Sequence, residues 1–220
     1  MIEHVYRRAQ QATSVSRVLV ATDDKRVADA VVRFGGDARL TRQDHACGSD
    51  RLAEVAATLT CDIVANVQGD EPLIEPLLID AVLAPLVADP TLGIATARCP
   101  ITDPAELENP HVVKVVVNRR GEALYFSRAP IPAHQPLKTN TGAVLGYKHI
   151  GLYAYRRKTL LELASVSPTP LERCEHLEQL RALESGHRIA TIETSSDPIG
   201  VDTADDLDRV RRLVSTGVGE

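Results

Sequence analysis

A three-layer α/β domain, with a mostly parallel sheet between crossover helices, is the fold class this sequence predicts. Three observations carry it. Short continuous apolar runs recur, helix-spaced apolar patterns lie between them, and polar, glycine-containing segments follow several of the runs. Residues 18–21, 63–67, 94–97 and 112–117 are the runs, continuous enough for strands buried on both faces. Between the first two, residues 24–34 keep Val27, Ala30, Val31 and Phe34 on one face and stop at Gly35-Gly36, a helix with a glycine stop. Residues 49–59 and 76–87 read as helices in the same way. Repeated strand–helix units of this size place ligands beyond the carboxyl ends of the strands.

The second half changes character. Residues 112–118 and 123–127 flank Arg119-Arg120-Gly121, which has the spacing and turn residue of a hairpin. Residues 130–146 are rich in Pro, Gly, Thr and Asn, the composition of a lid loop. A strand at 150–155 and a helix at 156–164 follow. One helix is expected over 170–185, with Leu177, Leu180 and Leu183 at helical spacing; a strand at 188–194 and a helix at 203–213 close the chain. We expect one domain over 1–220, with an insertion, dimerisation and lid region at about 112–150.

A chain of 220 residues with 44% hydrophobic content can bury a sizeable core. Its 25 Lys and Arg against 30 Asp and Glu give a net charge of −5, which argues against nucleic acid and against a polybasic membrane anchor. Aromatics are 3% with no Trp, so a base-stacking platform is not supported. Cys47, Cys61, Cys99 and Cys174 have no metal-ligand spacing. The N-terminus MIEHVYRRAQ lacks a signal-type apolar core, and the apolar stretch near Ala81 is interrupted by Pro85. A soluble, unexported protein is expected.

NVQGDEP, residues 66–72, is the strongest local signal. Gln68 to Glu71 fall just beyond the predicted strand, Gly69 lets the backbone turn or a ligand approach, and a carboxylate such as Asp70 can hold Mg²⁺. The structural alternative is that Asp70 and Glu71 only charge the start of the next helix. Gly200-Val201-Asp202-Thr203 follows the last predicted strand; Asp202 is either a helix N-cap or a second metal-facing carboxylate. Two acidic positions beyond separate strands of one sheet favour metal-dependent phosphate chemistry. TRQDHACGSDR, residues 41–51, offers Arg42, Ser49 and Arg51 to a base or phosphate, or is a surface loop with Ser49 or Asp50 as N-cap. Arg128 ends a predicted strand and faces the lid, suited to an anionic substrate, although arginines are more often solvated. His149 and Tyr153 share a strand face around Gly151, where a histidine is more often packed. Glu172, Glu175, Glu178 and Gln179 lie on a helix whose charges ordinarily face water.

NVQGDEP, TRQDHACGSDR, YFSRAPIP, KHIGLYAYR, PLERCEHLEQLR and GVDTADDLDRV occur in an order that closely resembles the 3-deoxy-manno-octulosonate cytidylyltransferases, also called CMP-Kdo synthetases. The resemblance runs from about residue 1 to residue 213 and implies a nucleotidyltransferase α/β fold, a homodimer, and Mg²⁺-dependent transfer of CMP from CTP to the sugar acid Kdo for lipopolysaccharide synthesis in a Gram-negative cytoplasm. It implies that Asp70 and Asp202 ligate Mg²⁺ as the catalytic pair and that Gln68 contacts the nucleotide. It implies further that Arg42, Ser49 and Arg51 lie at the cytosine and ribose pocket, and that Arg128, His149, Tyr153, Glu178 and Gln179 line the sugar-acid side.

Cys47 and Ser49 stand where the family usually has serine and threonine, substitutions that preserve size. A larger departure is expected at the start. Family chains open with a strand and a loop resembling I-P-A-R-x-x-S-x-R-L-P-G-K whose Arg and Lys grip the triphosphate, whereas Met1 to Val5 align after that loop. We therefore expect a natural protein that is longer, since losing a central strand would leave buried backbone groups unpaired at about 1–3 kcal/mol each. The other functions weighed are a related synthetase for a sialate-type sugar acid, and a non-catalytic nucleotide- or sugar-binding remnant.

Overall fold

The computed structural model describes residues 1–45, 47–133 and 144–215. In chain order α1 (Ile2–Gln11), β1 (Val20–Thr22), α2 (Lys25–Arg33), β2 (Ala38–Leu40), α3 (Gly48–Ala57), β3 (Ile63–Asn66) and α4 (Pro76–Ala88) form the first half. β4 (Ile94–Ile101), α5 (Pro104–Glu108), β5 (Lys114–Val117), β6 (Ala123–Ser127), β7 (Gly146–Arg156), α6 (Arg157–Ala164), α7 (Pro170–Glu175), α8 (Gln179–Glu184), β8 (Ile189–Glu193) and α9 (Ala204–Ser215) form the second. None of these helices is long and apolar enough to cross a membrane.

β7 organises the larger sheet. β4 runs antiparallel along one edge of it, from the Ile94–Tyr155 pair to the Ile101–Gly146 pair. The other edge is shared: β3 pairs with the carboxyl half of β7 and β5 with the amino half, both antiparallel. β8 adds to β4 in parallel, and β6 folds back on β5 as the expected hairpin. Thus β3, β4, β5 and β8 run one way and β6 and β7 the other, a mixed sheet with most strands sharing a direction. β1 and β2 pair in parallel as a separate two-stranded sheet.

Alternation along β7 builds the layers, because successive side chains leave opposite faces of a strand. Ile150, Leu152 and Ala154 join Val5 and Ala9 of α1 and Leu78, Ile79 and Val82 of α4 in one core. Tyr153 and Tyr155 join Ala53 of α3, Leu160 of α6 and Leu180 of α8 in the other.

Local chemistry sets most element ends. Asp24 caps α2 by accepting from Arg26 N at 2.7 Å, and Gly35 follows with φ of 81°, the left-handed stop that glycine supplies. The single helix expected over 170–185 is instead two, α7 and α8, divided at His176, whose φ is 54°. An ion pair explains the break. In one straight helix Glu172 and Arg181 would lie about 13 Å apart along the axis, beyond side-chain reach. With the chain folded back, Arg181 Nε and Nη2 donate to Glu172 Oε2 and Oε1 at 2.9 and 2.6 Å, and Arg181 is only 5% exposed. Removing one partner of a buried bidentate pair strands the other charge. Arg181→Met should therefore lose about 3–5 kcal/mol of unfolding free energy in urea; a loss below about 1 kcal/mol would show that the pair does not hold the α7–α8 turn.

Candidate active site

The site begins with a defect in a ladder. Register shifts where Thr96 and Ala97 of β4 meet β7, so Gly151 and Leu152 form a bulge. The bulge turns carbonyls away from the ladder, and two side chains collect them. Thr96 Oγ1 lies 3.1 Å from Ile150 O and 2.8 Å from Leu152 O, while Gln68 Nε2 donates to Gly151 O at 3.1 Å. A Cβ on residue 151 would sit 3.7 Å from Gln68 Cγ and 4.0 Å from Glu71 Oε1. The polar loop that follows β3 is therefore seated on the bare backbone of Gly151.

A second hydrogen bond brings in the distant acidic segment: Val201 N donates to Asp70 O at 2.9 Å. The capping alternatives fall away. α9 is capped by Thr203, which exchanges bonds with Asp206 (Thr203 N to Oδ2, 3.0 Å; Asp206 N to Thr203 Oγ1, 3.2 Å), leaving exposed Asp202 without that duty. α4 has Glu75 as its N-cap and no acidic residue in its first turn, so Asp70 and Glu71 stand ahead of the helix rather than in it. Ser49 and Asp50 do not cap α3, whose N-cap is Cys47.

Negative charge accumulates at this junction. Glu71 Oε2 is buried without a hydrogen-bond partner, and the carboxyl is pushed up to about 7, by burial first and then by the charges of Asp70 and Asp197. Among the described residues no group of three or more His, Cys, Asp or Glu is arranged to hold a metal ion. Asp70 beside the orphaned oxygen of Glu71 nevertheless offers hard oxygen donors of the kind a divalent cation takes, and the Val201–Asp70 main-chain bond brings the Asp202 segment to them.

The other side of the site lies on the same face of β7. The rings of His149 and Tyr153 stand 5.1 Å apart, and Phe126 meets His149 edge-on at 5.1 Å. Burial pushes the His149 imidazole down to about 3, so the ring is neutral at physiological pH. Its Nε2 is 3.0 Å from Thr96 Oγ1. With the Thr96 hydrogen directed to Leu152 O, the nearer carbonyl, Nε2 is the imidazole donor. Tyr153 Oη is buried without a partner, and burial raises its phenol further.

Ser49, Tyr153, Tyr155, Glu178 and Gln179 line one cavity. Because the chain breaks at His176, Glu178 becomes the N-cap of α8 and reaches α3, where Oε2 accepts from Ser49 N at 3.2 Å. Burial, and then Glu178, push the Cys47 thiol up to about 12, so it is no nucleophile. Arg128 sits at the end of β6, with Nε donating to Glu175 O at 3.1 Å and Nη1 to Pro110 O at 3.3 Å. Arg51 braces the strand ends of the smaller sheet, donating to Asp23 Oδ2 at 3.0 Å and Thr41 Oγ1 at 2.5 Å. Exposed Arg42 lies near Asp44 and Glu54, at 3.6 and 3.5 Å. Among the described residues the hydrogen bonds of Arg42 and Arg51 run to Glu54, Thr41 and Asp23 and, from Arg51, to Arg42 O, away from Gln68 and Asp70. Thr96 and Asp197 carry no signal in the sequence, which marks Glu175 only as a charge on a water-facing helix; the bulge gives Thr96 its place, Lys148 pairs with Asp197, and Glu175 turns in to Ser127 and Arg128.

A mixed α/β sheet with carboxylates and an amide collected where strands end is the architecture of a nucleotidyltransferase, and the family described as Cytidylyltransferase matches residues 1–189. The chain is 54% identical to the 3-deoxy-manno-octulosonate cytidylyltransferase of Geobacter metallireducens over 98% of its length and 87% of that protein, and 53% identical to that of Pelobacter propionicus over 96% and 86%. The solved structure of CMP:2-keto-3-deoxy-manno-octonic acid synthetase complexed with CTP superposes with a TM-score of 0.92 at 44% identity, covering 98% of this chain and 88% of that one. The chain belongs to the 3-deoxy-manno-octulosonate cytidylyltransferase family. The family match begins at residue 1 of this chain, which spans 87% and 86% of the two relatives' lengths.

Neutral His149 makes a testable mark on stability. Its folded pKa is lowered, so below about pH 6.5 the unfolded chain takes up a proton that the folded chain refuses. Stability contributed by the neutral ring should thus fall as pH drops from about 6.5 toward 3, at up to about 1.4 kcal/mol per pH unit. In urea unfolding between about pH 6 and about pH 4, His149→Gln should show a shallower decline by up to one proton. An unchanged slope would place the ring in a solvated setting.

Proposed function

We propose that this chain catalyses transfer of a cytidylyl group from CTP to 3-deoxy-D-manno-octulosonate, Kdo, yielding CMP-Kdo and pyrophosphate, the activation step that supplies Kdo for lipopolysaccharide. Support comes from the names of its relatives and of the CTP-bound structure it resembles. The observation that carries the site assignment is the Val201–Asp70 hydrogen bond, which joins the two acidic segments at the seat of the β3 loop.

In the reaction the anomeric hydroxyl oxygen of Kdo bonds to the α-phosphorus of CTP, loses its proton, and the bond from that phosphorus to the departing pyrophosphate breaks. Asp70 and Asp202 would hold Mg²⁺, which when bound supplies positive charge against the phosphate oxygens. Gln68 is fixed through its amide nitrogen on Gly151 O, which leaves its Oε1 as an oriented acceptor for the nucleotide. Arg42, Ser49 and Arg51 are assigned to the base and ribose. On the sugar-acid side, Arg128 offers a guanidinium to the carboxylate. Tyr153 Oη, orphaned at a cost of about 1–3 kcal/mol, regains a partner when a sugar hydroxyl enters. Neutral His149, Glu178 and Gln179 complete that wall and fix which hydroxyl faces the phosphorus.

A homodimer, a cytoplasmic location, and a dimerisation and lid role for region 112–150 belong to the same proposal through the family resemblance. Residues 134–143 of that lid lie outside the described residues. The sialate-type synthetase and the non-catalytic remnant are not favoured, since the relatives named above are Kdo enzymes.

Pyrophosphate release by this chain with CTP, Mg²⁺ and Kdo is the direct test. Turnover with Kdo well above that with a sialic acid is expected, and no release would restore the remnant. Asp70→Asn should slow turnover at least about 100-fold; a near-normal rate would remove Asp70 from the reaction.

A further inference from the structure

Lys114 lies at the start of β5, and none of it is exposed. An ammonium taken out of water is costly unless all of its hydrogens find acceptors. Here three carbonyls receive them: Asn109 O at 2.9 Å, Val112 O at 2.7 Å and Arg128 O at 2.5 Å. Two of these belong to the 109–112 turn, whose Pro110 O also takes Arg128 Nη1 at 3.3 Å. The same ammonium therefore grips both the main chain of Arg128 and the turn that supports its guanidinium.

Glu175, the last residue of α7, holds the opposite side. Its Oε2 accepts from Arg128 N at 3.0 Å, its Oε1 from Ser127 Oγ at 2.6 Å, and its own carbonyl from Arg128 Nε at 3.1 Å. Burial alone would push this carboxyl up; the bonds from Ser127 and Arg128 more than offset it and keep it below the usual carboxylate range, hence ionised. Arg128 N, O, Nε and Nη1 are thus all engaged by Lys114, Glu175 or the turn that Lys114 supports. A lysine buried only to stabilise a sheet could be replaced by an apolar residue at little cost. The cage instead converges on one arginine.

We infer that Lys114 and Glu175 are positioning residues, a clamp that presets the Arg128 guanidinium for the carboxylate of the acceptor sugar acid. This deepens the function proposed above and rests on its placement of Arg128. The clamp touches neither substrate. It acts by lowering the cost of ordering a long side chain when the acid arrives.

Steady-state kinetics on the full chain, varying CTP and Kdo separately, test it with Lys114→Met, Glu175→Gln and Arg128→Ala, alone and combined. Each clamp variant should raise KM for Kdo about tenfold or more while KM for CTP stays within about twofold. Adding either clamp substitution to Arg128→Ala should change KM for Kdo no further, because the clamp has nothing left to place. Equal shifts in both KM values, or clamp effects that multiply with that of Arg128→Ala, would mean a general structural role and overturn the inference. If Lys114→Met fails to fold, Glu175→Gln, which keeps shape and removes the charge, decides alone. An unaltered KM for Kdo in Arg128→Ala would sink the assignment of Arg128 itself and the clamp with it, whereas a raised KM there with unaffected clamp variants sinks only the clamp.

Discussion

The ladders of β7 constrain everything else in the molecule. One strand of 11 residues is held by β4 along one edge and divided between β3 and β5 along the other. Any shift of β7 would therefore move the loop after β3 and the strand that leads to Arg128 together. A register slip of one residue would also exchange its two faces, putting Tyr153 and Tyr155 where Ile150, Leu152 and Ala154 now pack against α1 and α4. The bulge at Gly151 is the one place where this ladder is relaxed. The carbonyls it releases are taken by Thr96, which also meets His149, and by Gln68, at the root of the acidic loop. The backbone irregularity and the site are thus the same feature.

Charge is treated differently in the framework and at the site. Lys148 bridges Glu106 and Asp197, Arg181 binds Glu172, and Lys114 is caged by carbonyls, so buried cations of the framework have partners. At the site, Glu71 Oε2 and Tyr153 Oη are buried without partners; away from it, Arg98 Nε and Thr169 Oγ1 are too. Native interiors rarely leave such groups unsatisfied, and two around one seat point to a ligand that completes them. Under the proposed function, a cation at the acidic end and sugar hydroxyls at the aromatic end are the complementary chemistries.

The strands were legible wherever an apolar run was continuous, as in β3 and β4, and α2 announced itself through Asp24 and Gly35. α1 was not, because only Val5, Tyr6 and Ala9 of its residues are buried, and its apolar stripe is too thin to stand out among charged neighbours. The division of α7 from α8 depends on Glu172 meeting Arg181 in space, which leucine spacing does not report. Asp70 and Asp202 were singled out because strand ends in α/β sheets are where ligands bind; that Thr203 rather than Asp202 caps α9 depends on its exchange with Asp206 and is not visible in the sequence. Arg42 and Arg51 were singled out as cations just beyond β2; their contacts with Asp23, Thr41 and nearby carboxylates depend on the fold and are not visible in the sequence. Glu175 looked like a solvated helix charge and is instead bonded to Ser127 and Arg128.

The central claim is that the loop seated on β7 and the segment tied to it by Val201 act as a single acidic pair. A double-mutant cycle on kcat/KM with Asp70→Asn, Asp202→Asn and the combined variant tests this most directly. Acting as a unit, the two carboxylates should be strongly non-additive, with the double variant about as slow as the slower single variant. Effects that multiply as independent losses would contradict the account and separate the two carboxylates into unrelated roles.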